Sequence, residues 1–366
     1  MEDLFKKIYN NKGDIGKWAS LAEGYFVFPK LEGPISNRMK FNDKEIITWS
    51  VNDYLGLANN PEVRKIDSEA SKKYGSAYPM GARMMSGHTT LHEELEAKLA
   101  DFVSKEAAYL LNFGYQGILS TIDTLVSKND IIVYDIDSHA CIVDGVRLHV
   151  GKRFTYQHND MKSLEKNLIR ATNIAEQTGG GILVISEGVF GMRGEQGKLK
   201  EIVKLKSKYK FRFLVDDAHG FGILGADGGG ATSHFGLKDD RIIHVGTLSK
   251  AVAGLGGYVS GKRVMIDLLI NRCRPFIFTT GLPPSVIAAA TEAIELIMTQ
   301  PGRRQRLLDH ADYLRVQLRQ LGFSVPFGET QILPVIIGNS FQTKQLYKQD
   351  ILIFLKDLPQ THQKEY

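Results

Sequence analysis

Apolar residues recur along the chain with two different periods. Leu91, Leu95, Leu99, Phe102 and Val103 fall near helical spacing, with Glu93, Glu94, Glu96 and Lys98 between them. This pattern predicts an amphipathic helix. The period then shortens. Ile131-Ile132-Val133-Tyr134, Ile182-Leu183-Val184-Ile185, Phe213-Leu214-Val215 and Ile242-Ile243-His244-Val245 are short apolar runs bounded by Gly, Asp, Asn or Lys, and each predicts a buried strand. Helical patterns over about 161–177 and 199–209 separate them. Strands alternating with helices imply parallel βαβ units and a doubly wound α/β sheet. Ligands bind such sheets at the carboxyl ends of the strands. Two longer helices are expected at Pro284–Met298 and Arg303–Leu321. Gly322 and Pro326 then break the pattern, and Ile332–Ile337 predicts another strand. The expected organisation is an N-terminal segment (1–45), a large domain (46–283) and a smaller C-terminal α/β domain (284–366).

Composition narrows the class. A length of 366 residues suggests about two domains. Forty-six Lys and Arg against 41 Asp and Glu leave +5, and the basic residues are scattered rather than gathered on one nucleic-acid-binding face. Apolar (43%) and charged (24%) fractions are those of a globular protein, which excludes disorder and fibrous repeats. Glycine is enriched, 36 residues, in short clusters between apolar runs. Two cysteines, Cys141 and Cys273, exclude a disulfide scaffold or a multi-cysteine zinc module. Met1–Lys7 has no apolar signal core. The most apolar stretch, Leu282–Met298, is interrupted by Pro283, Pro284, Glu292 and Glu295. A soluble, cytoplasmic protein with no membrane span is expected.

The polar residues at strand ends carry the chemistry. The run Phe213–Val215 leads into Asp216-Asp217-Ala218-His219-Gly220. Alone, that could be an Asp-capped turn or part of a metal site, although no second His/Asp cluster lies nearby in sequence. The run Ile242–Val245 leads into Gly246-Thr247-Leu248-Ser249-Lys250, with Gly254, Gly256 and Gly257 beyond. Lysine is seldom buried without a partner. A desolvated lysine has a depressed pKa and a nucleophilic amine. An acid at one strand end and a lysine at the next match the needs of pyridoxal 5'-phosphate: a lysine for its Schiff base and an acid for its pyridinium nitrogen. Asn112-Phe113-Gly114-Tyr115-Gln116-Gly117 precedes a helical pattern, and backbone N–H groups at a helix start cradle phosphate. Thr247 adds a hydroxyl. An ordinary Gly-rich turn is the alternative for that segment.

Asn52-Asp53-Tyr54-Leu55-Gly56-Leu57, Asp137-Ser138-His139-Ala140, Glu187-Gly188-Val189-Phe190, Asp216–His219 and Gly246–Lys250 occur in this order. Together they resemble the α-oxoamine synthases, pyridoxal phosphate enzymes of fold type I, from about Leu21 to Gly338. That family includes 8-amino-7-oxononanoate synthase, 2-amino-3-ketobutyrate CoA ligase and serine palmitoyltransferase. The resemblance implies that Lys250 holds the cofactor and moves protons at the substrate Cα. Asp216 pairs with the ring nitrogen, His219 bonds the ring O3′ and His139 stacks on the ring face. Gly114, Tyr115 and Thr247 hold the phosphate. Thr279 or Thr280 completes that phosphate site from the neighbouring subunit of a homodimer. Asn52 helps hold the amino-acid carboxylate, Arg83 lies in the acyl-entrance segment Tyr78–His88, and Glu187 lies near the cofactor. The implied reaction is a decarboxylative Claisen condensation of an α-amino acid with an acyl-CoA or acyl-carrier thioester. No metal is expected.

The sequence departs from the family at three places. Gly191 stands where Ser is usual. Arg193 stands where an acid is usual, which suits a more anionic substrate. No arginine follows Gly338, although the family uses one to clamp the substrate carboxylate, and lysine replaces a bidentate guanidinium poorly. The C-terminal domain is therefore expected to be incomplete. Alternatives to the condensation are another fold type I reaction or a weakly active scaffold subunit of a heterodimer.

Overall fold

The computed structural model describes residues 3, 5–6, 29–76, 79–338, 342 and 351–352. The chain divides into two compact units, residues 1–51 with 336–366, and residues 52–335. These cuts differ from the 45/46 and 283/284 boundaries expected from the sequence.

In the first unit, β1 (Arg38–Phe41) and β2 (Lys44–Thr48) form an antiparallel hairpin, with Phe41 opposite Lys44. Asn42 and Asp43 make its turn at φ 49 and 62. Both central residues at positive φ match the right-handed strand twist, and Asn and Asp tolerate that region. A two-residue strand at Ile351–Leu352 pairs in parallel with β2.

The second unit is built on seven strands: β3 (Ala107–Leu111), β4 (Ile131–Asp135), β5 (Lys152–Tyr156), β6 (Ile182–Glu187), β9 (Arg212–Asp216), β10 (Ile242–Thr247) and β11 (Gly257–Gly261). The small hairpin β7 (Val189–Phe190) with β8 (Glu195–Gln196) lies apart from the sheet. The sheet order is β3-β11-β10-β9-β6-β4-β5. The four pairings from β10 to β5 are parallel, and β11 runs antiparallel to both its neighbours.

Alternate residues on each strand face opposite sides of the sheet, and the core divides accordingly. Val133, Val184, Phe213, Val215 and Tyr258 join one apolar cluster; Ile132, Leu183, Ile185, Leu214 and Val259 join another. Helices cover both. Leu164 and Leu168 of the helix Met161–Thr178 and Ile294 and Ile297 of the helix Pro284–Thr299 fill the first cluster. Ile118, Ile122, Ile142 and Val146 of the helices Gly114–Leu125 and Ala140–Leu148 fill the second. The result is the expected α/β/α arrangement. Strands covered on both faces read as continuous apolar runs rather than alternating ones. Each buried Val, Leu, Ile or Phe contributes about 1.5–3 kcal/mol of transfer free energy.

Helix ends follow from local sequence. Asn60 Oδ1 accepts from Glu62 N (2.9 Å) ahead of the helix Pro61–Tyr74. Asp160 caps Met161–Thr178, which ends on Gly179 in the left-handed region, φ 71. Two expectations fail locally. The helix over 199–209 stops at Leu205, and tighter turns carry the chain to Tyr209. The segment 332–337 forms no strand beyond a single bridge residue at Ile336. Its approach is held by side chains instead: Thr330 Oγ1 donates to Gly194 O (2.7 Å) and Gln331 Nε2 donates to His219 O (2.8 Å).

Candidate active site

Parallel register brings the polar strand ends to one edge. Asp216 sits opposite Glu187 on β6 and opposite Val245 on β10, and Thr247 closes β10 two residues further on. A cavity of about 250 Å³ opens there. Gly114, Tyr115, His139, Glu187, Asp216, His219, Thr247 and Lys250 line it, as do Cys141, Ser249 and Gly256. Eight of the residues singled out from sequence thus meet at one place.

Glu187 and Asp216 form the floor and are almost fully buried. Burial pushes both carboxyls up. Lys250 and the Ala218 N–H (3.0 Å) oppose this at Asp216, whereas the Asp216 charge drives Glu187 higher still. Glu187 is therefore held further above the ordinary carboxylate range than Asp216. Burial lowers the Lys250 pKa, partly countered by Asp216, Glu187 and Cys141. Its Nζ lies 2.8 Å from His219 Nε2. On the other side of that ring, Nδ1 lies 2.8 Å from the Tyr54 hydroxyl, which also reaches Asn52 Oδ1 at 3.3 Å. Burial, with Lys250 and His139 adding, holds His219 down to about 3.

His139 stands at the start of the helix Ala140–Leu148, and its Nδ1 accepts from Cys141 N (3.2 Å). Its own N–H donates to Glu187 Oε1 (2.6 Å), so helix cap and cavity floor together orient the ring. Tyr115 meets that ring edge-on, 6.0 Å between centroids, and is held by Asp144.

The opposite wall is an anion cradle. The helix Gly114–Leu125 begins after Phe113 without any side-chain cap, so its first N–H groups are unclaimed by one. A Cβ at Gly114 would lie 2.9 Å from both Cβ and Oγ1 of Thr247. Glycine keeps this wall open, and the Thr247 hydroxyl stands across it. An uncapped helix start, a buried carboxylate and a desolvated lysine fit the phosphate, ring nitrogen and aldehyde carbon of pyridoxal phosphate.

Four expected residues lie off the lining. Arg83 is buried but committed: NH2 bonds Glu96 Oε1 (2.8 Å) and His88 Nδ1 (2.7 Å), and the guanidinium covers the Phe276 ring. Thr279 and Thr280 follow the short helix Arg274–Phe278, and Thr280 O holds Asn112 Nδ2 at 2.8 Å. Asn52 is exposed and is linked to the cavity by the Tyr54 hydroxyl, which also bonds His219. Conversely, Tyr54, Cys141 and Gln331 were missed. Tyr54 and Cys141 lie within or beside the sequence motifs, but nothing in the local sequence marks Gln331. Tyr78 and most of the tail beyond Gly338 lie outside the described residues. No group of three or more metal-ligating side chains occurs among the described residues, and no helix among them is long and apolar enough to cross a membrane.

Fold and pocket together define a pyridoxal phosphate enzyme of fold type I. Residues 44–357 match the aminotransferase class I and II family. A cysteate-C-fatty acyltransferase of Capnocytophaga ochracea is 59% identical over 93% of this chain and 81% of its own length. An 8-amino-7-oxononanoate synthase of Thermoanaerobacter pseudethanolicus is 43% identical over 86% and 78%. A serine palmitoyltransferase from S. paucimobilis, solved with pyridoxal phosphate and myriocin, superposes with TM-score 0.88 at 31% identity, covering 97% of this chain and 92% of that one. The chain belongs to the aminotransferase class I and II family, and within it to the α-oxoamine synthases. Its cofactor is pyridoxal 5'-phosphate.

Proposed function

We propose that this protein condenses cysteate with a fatty acyl thioester. The α-amino acid loses its Cα proton and its carboxylate as CO2. The acyl carbon bonds to Cα, the thiol leaves, and a proton returns to Cα once CO2 has gone. When bound, pyridoxal phosphate supplies an electron-accepting ring that stabilises negative charge at Cα. The protein's residues do the rest. Lys250 supplies the amine that binds the cofactor and later moves the proton at Cα. Asp216, at the cavity floor, would hold positive charge on the ring nitrogen. His139 would cover one ring face, and His219 would present a ring nitrogen to the phenolic oxygen. Gly114, Tyr115 and Thr247 hold the phosphate.

The observation that carries the choice of amino acid is the 59% identity to the cysteate enzyme. Arg193 supports it. Its loop is pinned, with Gly194 N donating to Phe190 O (2.8 Å) and Thr330 Oγ1 donating to Gly194 O. A Cβ on Gly191, in the same loop, would fall against His219. Arg193 reaches Asp137 Oδ2 (2.5 Å), two residues before His139. A guanidinium has five donors, so one ion pair leaves others for a sulfonate. Exposed Met80, Met84, Met85 and Phe278 near the Ala82–Thr280 bridge support a homodimer whose second copy covers this surface and receives Thr279 or Thr280. A cytoplasmic location belongs to the same reading.

The test is thiol release from a long-chain acyl-CoA with cysteate, serine, glycine or alanine. Cysteate is expected to give the highest kcat/KM, and Arg193→Ala to raise its KM about 10–100-fold, the worth of a charge-assisted hydrogen bond, with the acyl-CoA KM unchanged. Equal turnover of serine, or an unchanged cysteate KM in Arg193→Ala, would overturn the choice.

A further inference from the structure

We propose that Tyr54 is a positioning residue for Lys250, acting through His219: its hydroxyl proton, given to Nδ1, holds the imidazole in the tautomer that carries its proton on Nε2. The proposal rests on the reading of Lys250 as the cofactor lysine. The tautomer itself is measured without cofactor, so the two can fail separately.

A neutral imidazole has one donor and one acceptor. His219 is neutral at pH 7, since its surroundings hold its pKa at about 3. Tyr54 keeps its proton, because burial pushes the phenol up. That proton has two acceptors in reach, Nδ1 at 2.8 Å and Asn52 Oδ1 at 3.3 Å, and the shorter bond wins. Gln331 strengthens the choice. Its amide donates to the His219 backbone carbonyl at 2.8 Å, which fixes where the ring stands beside the phenol.

The consequence falls on Nε2, 2.8 Å from Lys250 Nζ. An Nε2–H pairs with the lone pair of a free amine and opposes an ammonium, which would set N–H against N–H. Tyr54 therefore favours Lys250 in the form that attacks an aldehyde. The same Nε2–H suits a phenolate oxygen in the cavity. Without the hydroxyl, the imidazole proton is free to move to Nδ1, and Nε2 then offers its lone pair to an ammonium. Asp216, Glu187 and Cys141 also act on Lys250, and His139 acts on His219. None of them is altered by Tyr54→Phe, which removes one oxygen.

Nitrogen-15 NMR of the full chain, labelled on histidine and stripped of cofactor, distinguishes bare from protonated ring nitrogens; His219→Asn assigns the signals. Wild type at pH 7 is expected to show a bare Nδ1 and a protonated Nε2, and Tyr54→Phe a marked rise of the Nδ1–H form. The pH midpoint for covalent capture of added pyridoxal phosphate should rise by about one unit in Tyr54→Phe, a tenfold change matching one lost hydrogen bond. An Nδ1–H tautomer in wild type overturns the proposal even if the variant fails to fold. So does an unchanged tautomer or an unmoved midpoint in Tyr54→Phe.

Discussion

Asp216 and Asp217 are neighbours with opposite duties, and substitution separates them. The Asp217 side chain is fully buried. Its Oδ2 accepts from Ala231 N (2.7 Å) and from His244 Nε2 (3.0 Å), which joins the end of β9 to β10 and to the loop before residue 231. A Cβ at Gly188, Gly220 or Gly230 would fall against its carboxylate, so three glycines make room for it. Asp217→Ala leaves two buried donors unpaired, about 1–3 kcal/mol each. The expected loss is therefore about 2–6 kcal/mol, a large share of the ~5–15 kcal/mol that holds a typical domain. Asp216→Asn keeps the shape and retains an acceptor for Ala218 N; its stability should stay within about 1 kcal/mol while turnover collapses. Urea unfolding of both cofactor-free variants, followed by circular dichroism, reads the difference. A loss under about 1 kcal/mol in Asp217→Ala, or an equal loss in Asp216→Asn, would refute the division of roles.

Two further outcomes follow from the site and core. Gly114→Ala places a methyl 2.9 Å from Thr247, and equilibrium dialysis should show weaker binding of pyridoxal phosphate with the fold retained; unchanged affinity would remove the phosphate from this wall. His92 and His219 are held at about 3, below their unfolded value of 6.5, so between those limits the unfolded chain binds protons that the folded chain refuses. Stability should fall as pH drops below about 6.5, by up to about 1.4 kcal/mol per unit for each histidine, and His92→Gln should flatten the slope of the urea midpoint against pH.

The strands β4, β6, β9 and β10 were legible because burial on both faces leaves apolar runs, whereas β5, exposed along Lys152 and Arg153, offers none. Their ends were read one or two residues short, since Glu187, Asp216 and Thr247 are polar yet still lie in the ladder. The strand β11 was hidden by its own glycines: Gly257 lies against Gly114, where a Cβ would meet backbone at 2.6 Å. The apolar run 332–337 looked like a strand, but local sequence does not reveal that Thr330 and Gln331 tether its start to the loop at Gly194 and to His219. The cavity residues were found through paired motifs at strand ends, where chain order and parallel register coincide. Arg83 shows the limit of that method. Its place in the acyl-entrance segment suggested a substrate contact, whereas Glu96, His88 and Phe276 already engage it.

The central claim is that Lys250 binds pyridoxal phosphate covalently in this cavity. The direct measurement is borohydride reduction of the purified yellow protein, followed by peptide mass mapping. A phosphopyridoxyl mass on Lys250, and its disappearance together with turnover in Lys250→Ala, is the predicted result. Label on another lysine, or full turnover by Lys250→Ala, would contradict the account.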